Sequence, residues 1–483
     1  MGKISEGIIN FMSLRLNLSR NFVFLCRLIL GLLLTQVLPA ATLIPQEIFI
    51  PQQMRPLPGH LDRVPVFDSN NPEVVQTEGI LLSTFPGKGK RVPTAHLNFP
   101  FQGRFDFFSH HIARAIETPN NLRTLYLGAI VYNPSSQSVN LEVLQAASYL
   151  SQPDAPFIQL APILDNQLGN IYTGPGDRTT DEVLRGRRQE GWPAQLFIPP
   201  KQSRMLMNQP IPVRSLTPLL NGRSTLVRLR SNGPVYLAEL AMFAKLNLDG
   251  SERAPTLEEW QTLLTTGNLA RPREVAPSPP DNLTGPEIYG RVAAVAQGSV
   301  WRTQVTDPGS LDLAIPQRNQ AFSYGLSTIL VGRLGTGQDQ SAKLLVRYPG
   351  TAYEAHGNYG VEYNLTLPLL NNTGMVQTVN VLVQTPIKED KLSKLGLHFR
   401  QPPYPSVFFW GTVRIRYNDD NGFPKTKYWH LIQRRGQMGE PLAQLKMPPG
   451  TRRLVQVDFL YPPDSTPPQV LTVQTLAASN AHR

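Results

Sequence analysis

The chain has 483 residues, with 46 Lys and Arg against 35 Asp and Glu, a net charge of +11. Charged residues make up 17% and apolar residues 41%, which excludes a disordered polyelectrolyte and leaves apolar material for more than one core. Its 45 prolines are about 9% of the chain, against roughly 5% on average, and proline fits neither helix interiors nor central strands; the composition predicts many short elements and a mostly β protein.

The first forty residues read as an export leader. Arg15, Arg20 and Arg27 precede or interrupt an apolar stretch, and Leu38-Pro39-Ala40-Ala41 ends it in small residues suited to a signal peptidase. The apolar run 28–38 has eleven residues, where a membrane span needs about twenty. Residues 1–40 are therefore expected to be a removable signal peptide, leaving no transmembrane span in the mature chain. A start at Met12 gives a more usual leader length than Met1, and both stay open. The single cysteine, Cys26, lies in this segment, so removal leaves no disulfide, thiol nucleophile or Cys-ligated zinc. It also removes four basic groups and one acid, so the mature charge is +8. There is no Lys/Arg block of the kind that marks a nucleic-acid partner.

Beyond the leader, residues 79–85 and 99–108 are candidate strands. Residues 125–132 and 138–147, joined by Asn133-Pro134-Ser135-Ser136, read as a β-hairpin. So do 225–230 and 235–244 around Ser231-Asn232-Gly233-Pro234. Two capping boxes predict helices, one opening at Thr179 with Glu182, the other at Thr256 with Glu259 and stopping at Gly267. The Pro-rich stretch 271–286 reads as a linker. Strands are expected after it at 289–296, 342–347, 361–367, 376–384, 407–417, 428–433 and 453–460. The expected organisation is an N-terminal β-rich domain over 41–270 ending in a short helix, the linker 271–286, and a C-terminal β-sandwich-like domain over 287–483. In short, the fold class is mostly β, two sandwich-like modules with a short helical connector. The halves echo one another: Asn133-Pro-Ser-Ser-Gln-Ser-Val-Asn-Leu beside Asn371-Asn-Thr-Gly-Met-Val-Gln-Thr-Val-Asn-Val. Duplicated modules and convergent turn chemistry both explain this.

Several segments go beyond patterning: Tyr149-Leu-Ser-Gln-Pro-Asp-Ala-Pro, Thr173-Gly-Pro-Gly-Asp-Arg, Arg347-Tyr-Pro-Gly-Thr-Ala-Tyr, Ala355-His-Gly-Asn-Tyr-Gly-Val-Glu-Tyr, and Tyr461-Pro-Pro-Asp-Ser-Thr-Pro-Pro-Gln-Val-Leu. In these the chain resembles a family of exported cyanobacterial proteins known only as a domain of unknown function. The resemblance implies a cyanobacterial periplasm or cell surface and assigns no residue a role.

The most suggestive segment for chemistry is 347–363. Arg347, Tyr348, Tyr353, Glu354, His356, Asn358, Tyr359 and Tyr363 combine aromatic faces with amides and carboxylates, as sugar recognition requires. The alternative is a loop packed by its own tyrosines, with Gly357 and Gly360 supplying turns. Arg228 and Arg230, and Arg414 and Arg416, alternate with apolar neighbours, which fits an anion-facing sheet or a charge-protected edge strand. His110-His111 with Asp106 and Glu117 lacks metal-ligand spacing, and residues 174–178 lack the Gly-Lys-Ser/Thr ending of a phosphate loop. No nucleophile motif is present. No metal and no cofactor are expected. The leading functional expectation is an exported, non-catalytic protein of the periplasm or cell surface that binds acidic cell-wall or extracellular polysaccharide. A glycan hydrolase and a structural assembly module are the alternatives.

Overall fold

A computed structural model describes residues 45–115, 122–280 and 286–477. The leader, Cys26 and both starts lie outside the described residues, as does Glu117. The protein is mostly β, with two α-helices among the described residues.

Alternation builds the first sheet. In Phe101–Arg114, Phe101, Phe105 and Phe107 enter one core while Phe108 enters another. Val227 and Leu229 of Leu220–Phe243, and Phe67 of Pro65–Ser69, repeat the odd-numbered side. Leu226, Val66 and Ala294 repeat the even one. Side chains on a strand alternate faces, so this sheet is buried on both. Its strand order is Gln195–Ile198, Val139–Leu150, Leu220–Phe243, Phe101–Arg114, Pro65–Ser69, Ala293–Gln297, Ala342–Arg347 and Glu354–Ala355. A second sheet of Ser203–Ile211, Leu125–Tyr132, the later half of Leu220–Phe243 and Gly79–Ser83 packs across the phenylalanine core.

The second sandwich follows the same rule. One sheet contains Val300–Gln304, Glu362–Leu370, Arg452–Leu460, Val407–Asn418, Pro424–Arg434 and Ile163–Asp165. The facing sheet contains Gln53–Arg55, Ala321–Leu326, Gln469–Thr475, Gln377–Gln384 and Pro441–Met447. Tyr363, Leu365, Val413, Val457 and Phe459 from the first meet Phe322, Val381, Leu445 and Val473 from the other. Two sandwich-like modules are thus present.

Helix α1 (Pro175–Leu184) lies between the sandwiches. Val183 and Leu184 pack with Leu226 of the first and Leu460 of the second, and Thr179 Oγ1 donates to Ser224 O at 3.2 Å. It starts earlier than Thr179: Pro175 opens it, which costs nothing where an N–H has no helical partner. The Asp464 carboxylate accepts from Gly176 N at 2.9 Å, filling the position an outside anion would take. Helix α2 (Leu257–Thr266) keeps the expected capping box of Thr256 and Glu259, with Gly267 at its end. It covers the outer face of the first sandwich, burying Trp260 and Leu264 against Ile130 and Leu240. The helix connecting the modules in space is therefore α1, not α2.

Both expected hairpins are something else. Leu125–Tyr132 pairs with Ser203–Ile211 and the later half of Leu220–Phe243, whereas Val139–Leu150 pairs with Gln195–Ile198 and the earlier half. The segment 133–137 is a corner where the chain leaves one sheet for the other. Asn133 Nδ2 donates to Gln137 O at 2.7 Å and Ile198 O at 3.0 Å, while its Oδ1 accepts from Ser135 N at 2.9 Å and Ser135 Oγ at 2.7 Å. Asn371 repeats this bond for bond: Nδ2 to Met375 O at 2.8 Å and Met447 O at 2.7 Å, Oδ1 from Thr373 N at 3.0 Å and Thr373 Oγ1 at 2.7 Å. The sequence echo therefore marks the same sheet-crossing device in each sandwich. The second expected hairpin is one strand, Leu220–Phe243, whose register shifts between Ser231 and Val235 as it crosses sheets. Pro234 is tolerated because the ladder is already interrupted there.

The stretch 271–286 is not a boundary between one group of strands and another. Ala293–Gln297 and Ala342–Arg347, which follow it, join the first sandwich. Gln46–Pro51 pairs with Gly396–Gln401, and Gln53–Arg55 and Ile163–Asp165, which also precede it, join the second. Nor do its described residues 271–280 all lie in open solvent. The Arg273 guanidinium donates to Ile80 O at 3.1 Å and Leu81 O at 3.2 Å, tying this part of the chain to the first sandwich.

Candidate functional site

The eight residues of 347–363 separate into three groups. Tyr348, Asn358 and Tyr363 are core. The Tyr348 ring is fully buried, and its hydroxyl donates to Ala95 O at 2.8 Å and accepts from Ser83 N at 2.9 Å. Tyr363 stacks on Phe459 at 5.1 Å, and its hydroxyl donates to Gln340 Oε1 at 3.1 Å and accepts from Asn358 Nδ2 and Ser327 N at 3.0 Å. Asn358 holds a left-handed turn at φ 50°, which asparagine tolerates; neighbouring Gly357 is at φ +101° with no room for a Cβ beside Tyr359. Arg347, Tyr353 and Glu354 are partly exposed, the Arg347 guanidinium lying 4.2 Å over the Tyr353 ring while donating to Thr351 O at 2.8 Å. Burial raises the Glu354 carboxyl, with Asp339 adding to the shift. His356 and Tyr359 line a pocket between the sandwiches.

That pocket has a volume of about 200 Å³. Pro65–Ser69 sends Asp68 into it from the first sheet, and Asn70 follows at the strand end. Tyr289, Arg291 and Lys388 complete its polar wall. Asp68 is 7% exposed and Asn70 4%, and the Oδ1 of each lacks a hydrogen-bond partner among the described residues. Burial pushes the Asp68 carboxyl up to about 7. Burial lowers Lys388 to about 8 against the opposing charge of Asp390, and holds His356 down at about 4. The Tyr289 and Tyr359 hydroxyls are pushed up to about 12, again by burial first. Arg291 is held by Glu73 and by Glu274 at 3.8 Å. Asp68, Asn70, Tyr289, Arg291 and Lys388 were not singled out in the sequence. The available signal was an aspartate inside the apolar strand Val66-Phe67-Asp68, where a charge is expensive unless something requires it.

The alternating arginines do alternate, but the face that looked free is largely covered. Arg228 forms an ion pair with Glu362 of the second sandwich at 2.9 Å, with both side chains nearly buried. Arg230, two residues on along the same face, is exposed and lies 3.5 Å from Glu142. Arg414 and Arg416 both reach Asp458 Oδ2, at 3.0 and 2.9 Å, and the Asp458 side chain is fully buried. Arg416 continues into an open groove of about 830 Å³ at one end of the second sandwich. Five cations line that groove (Arg416, Lys425, Lys446, Arg452 and Arg453) against two acids, Asp419 and Asp420. Asp419 holds Lys425 at 3.2 Å and Asp420 holds Arg453 at 3.1 Å, while Asp312 outside the groove takes Arg452. Among the described residues, no carboxylate lies within ion-pair distance of Lys446. Tyr417 and the exposed Leu454 supply apolar surface.

The histidine pair is structural. His110 Nδ1 lies 2.7 Å from Ser224 Oγ, and His111 Nδ1 donates to Pro72 O at 2.7 Å, with Ser69 Oγ 3.0 Å from its other nitrogen. Asp106 is engaged by Arg104 and Ser299. No group of three metal-ligating side chains occurs among the described residues. No described helix is long and apolar enough to cross a membrane.

A family model described as "Protein of unknown function (DUF3370)" matches residues 52–475. No curated protein matches the chain. Among solved structures, Lac15 from a marine microbial metagenome is similar over 79% of this chain, at 9% identity and a TM-score of 0.10. The chain spans 57% of that protein's length, and at this TM-score the likeness carries no argument about fold or function.

Proposed function

We propose, for a chain that belongs to the DUF3370 family of unknown function, that it is an exported, non-catalytic envelope protein that holds acidic polysaccharide in the open groove of its second sandwich. The observation that carries this reading is the open groove itself, lined by five cations and two acids, in which Lys446 meets no carboxylate within ion-pair distance among the described residues. Guanidinium and ammonium groups suit carboxylate and sulfate, and Tyr417 and Leu454 offer apolar surface to the C–H faces of sugar rings. An open groove leaves room for a polymer that a closed pocket does not. The two acids are each engaged by a cation, which supports holding over hydrolysis. Export rests on the leader-like residues 1–40, and a cyanobacterial periplasm or cell surface on the resemblance to the exported family.

The test is co-sedimentation of the purified protein with polygalacturonate and with isolated exopolysaccharide, with reducing ends assayed in the supernatant. Binding without released sugar is expected. It should weaken as salt rises, because exposed charges are screened beyond about 10 Å at 0.1 M. Lys446→Glu together with Arg452→Glu should weaken it roughly tenfold, about 1.4 kcal/mol. Release of reducing ends would establish the hydrolase instead, and salt-independent binding would remove the electrostatic basis.

A further inference from the structure

A second cationic surface lies at the other end of the strands that form the groove. Lys425 lines the groove near the start of strand Pro424–Arg434, and Arg434 closes that strand about 30 Å away, at roughly 3.3 Å per residue. Two connections of the chain meet there. Gln401-Pro402-Pro403-Tyr404-Pro405-Ser406 leads into Val407–Asn418, and Arg435-Gly436-Gln437 follows Pro424–Arg434. Backbone bonds already hold them together. Tyr404 N donates to Arg435 O at 3.0 Å, Arg435 N to Ser406 O at 3.0 Å, and Arg400 N to Gly436 O at 2.8 Å.

The side chains gather charge that this closure does not need. The Arg400 guanidinium carbon lies 4.3 Å from the centre of the Tyr404 ring, and that of Arg435 lies 4.8 Å from it. The two are therefore no further apart than those distances laid end to end. Arg434 joins them, its Nη1 donating to Pro405 O at 2.9 Å. Among the described residues, no carboxylate lies within ion-pair distance of any of the three. Glu47 stands opposite Arg400 in the ladder of Gln46–Pro51 and Gly396–Gln401 without forming a pair. In the groove, by contrast, Arg416, Lys425, Arg452 and Arg453 each have an acid. The field of the corner extends beyond it: burial holds the Lys388 amine down at about 8 against the pull of Asp390, and Arg435 adds to that lowering. Like charges this close repel one another until an anion joins them.

Solvent reaches these nitrogens. The side-chain hydrogen bonds of Arg400 and Arg434 are at the exposed surface. Of the Arg435 guanidinium only Nε is sealed from water, and its terminal nitrogens have no acceptor among the described residues. A guanidinium resting on an aromatic ring keeps its N–H edge free, a planar fork that matches carboxylate or sulfate. Pro402, Pro403 and Pro405 fix φ on both sides of Tyr404, so the ring that carries the arginines is set before a ligand arrives. A single exposed ion pair changes affinity by a factor of about five at most. That is too little to hold a lone anion, whereas repeated charges on one polymer act together.

We propose that this corner is a second contact for acidic polysaccharide, whose carboxylate or sulfate groups are held by Arg400, Arg434 and Arg435 around Tyr404. The choice of polysaccharide as bearer rests on the function proposed above; the attraction for oxyanions rests on the corner alone. Uronate and sulfated chains share this chemistry and form separate arms of the test.

The experiment maps arginine reactivity on the unaltered purified protein. It is treated with phenylglyoxal alone, or with polygalacturonate, dextran sulfate or neutral dextran present, and modified peptides are quantified by mass spectrometry. At least one acidic polymer should slow modification of Arg400, Arg434 and Arg435 fivefold or more, and added salt should restore it. Protection by polygalacturonate alone identifies carboxylate as the group held, and protection by dextran sulfate alone identifies sulfate. Arg400→Gln with Arg435→Gln should weaken binding of the protecting polymer about tenfold. Arg400→Lys with Arg435→Lys, which keeps the charge, should weaken it less. The proposal is overturned if neither acidic polymer protects the three arginines, or if neutral dextran protects them equally. It is also overturned if phosphatidylglycerol vesicles protect them where the polysaccharides do not, or if the glutamine variant binds as the unaltered protein does. Arg416, Arg452 and Arg453 in the same maps report on the groove, so failure at the corner and failure of the groove reading are seen separately.

Discussion

Replacing Asp68 by asparagine isolates one buried carboxyl and gives it a sign. Asp68 is 7% exposed on the face of the first sheet that the second sandwich covers, and no described donor meets its Oδ1. Burial moves its carboxyl from 3.8 up to about 7. Between those two values the unfolded chain has released the proton and the folded chain retains it. The unfolded state then binds fewer protons, so stability falls as pH rises. The contribution of Asp68 is most favourable below about pH 4, declines toward pH 7 and is flat beyond. Three units at about 1.4 kcal/mol each give roughly 4 kcal/mol across the window. Asp68→Asn preserves the shape and removes the titration. In urea unfolding at about pH 4 and about pH 8, the variant should gain on the unaltered protein by as much as about 4 kcal/mol between the two, since the remaining titrations cancel in the difference. Equal differences at both pH values would refute the assignment of a desolvated, proton-retaining carboxyl to this position.

Three further outcomes follow from packing. Gly128→Ala places a Cβ 2.5 Å from the Trp260 ring, where the fully buried indole has no room to retreat; thermal unfolding should report a loss of at least about 1–3 kcal/mol. Asn133→Ala and Asn371→Ala each remove the side chain that ties a sheet-crossing corner to the opposite sheet; chemical denaturation should show losses of about 2–3 kcal/mol for each, and unequal values would show that the corners are not equivalent. Arg228→Ala leaves Glu362 nearly buried without its cation and should cost about 3–5 kcal/mol, some of which returns when Glu362→Ala is added, as a double-mutant cycle measures.

Strands that are apolar on at least one face were legible from their own residues. Ala342–Arg347 and Gln377–Gln384 fall almost where the alternation puts them. The α2 capping box was legible because a helix start is a local event between Thr256 and Glu259. What was not legible depends on partners distant in the chain. Asn133-Pro-Ser-Ser has the chemistry of a turn whether the chain reverses or steps to another sheet; only Ile198 O and Pro199 O, brought up by another strand, decide it. Arg228 and Arg230 show the same limit. Alternation puts both on the face opposite Val227 and Leu229, but Glu362 covers Arg228 and leaves Arg230 exposed, and nothing near residue 228 announces that. Thr179 and Glu182 look like a helix start, yet α1 begins at Pro175, where the distant Asp464 carboxyl accepts from Gly176 N. The pocket was half visible: His356 and Tyr359 stood out as aromatic and polar, while Asp68 and Lys388 come from segments with no local mark of a site.

The strand exchange between sandwiches sets an order of assembly. Gln53–Arg55 runs beside Ala321–Leu326, and Ser323 Oγ donates to Gln52 Oε1 over a separation of 271 positions. A chain emerging amino end first presents these early strands long before their neighbours exist. Slow closure of such distant pairings leaves a sticky edge waiting in the meantime. Neither half can finish maturing ahead of the other, so the whole molecule must be guarded until its last third has arrived.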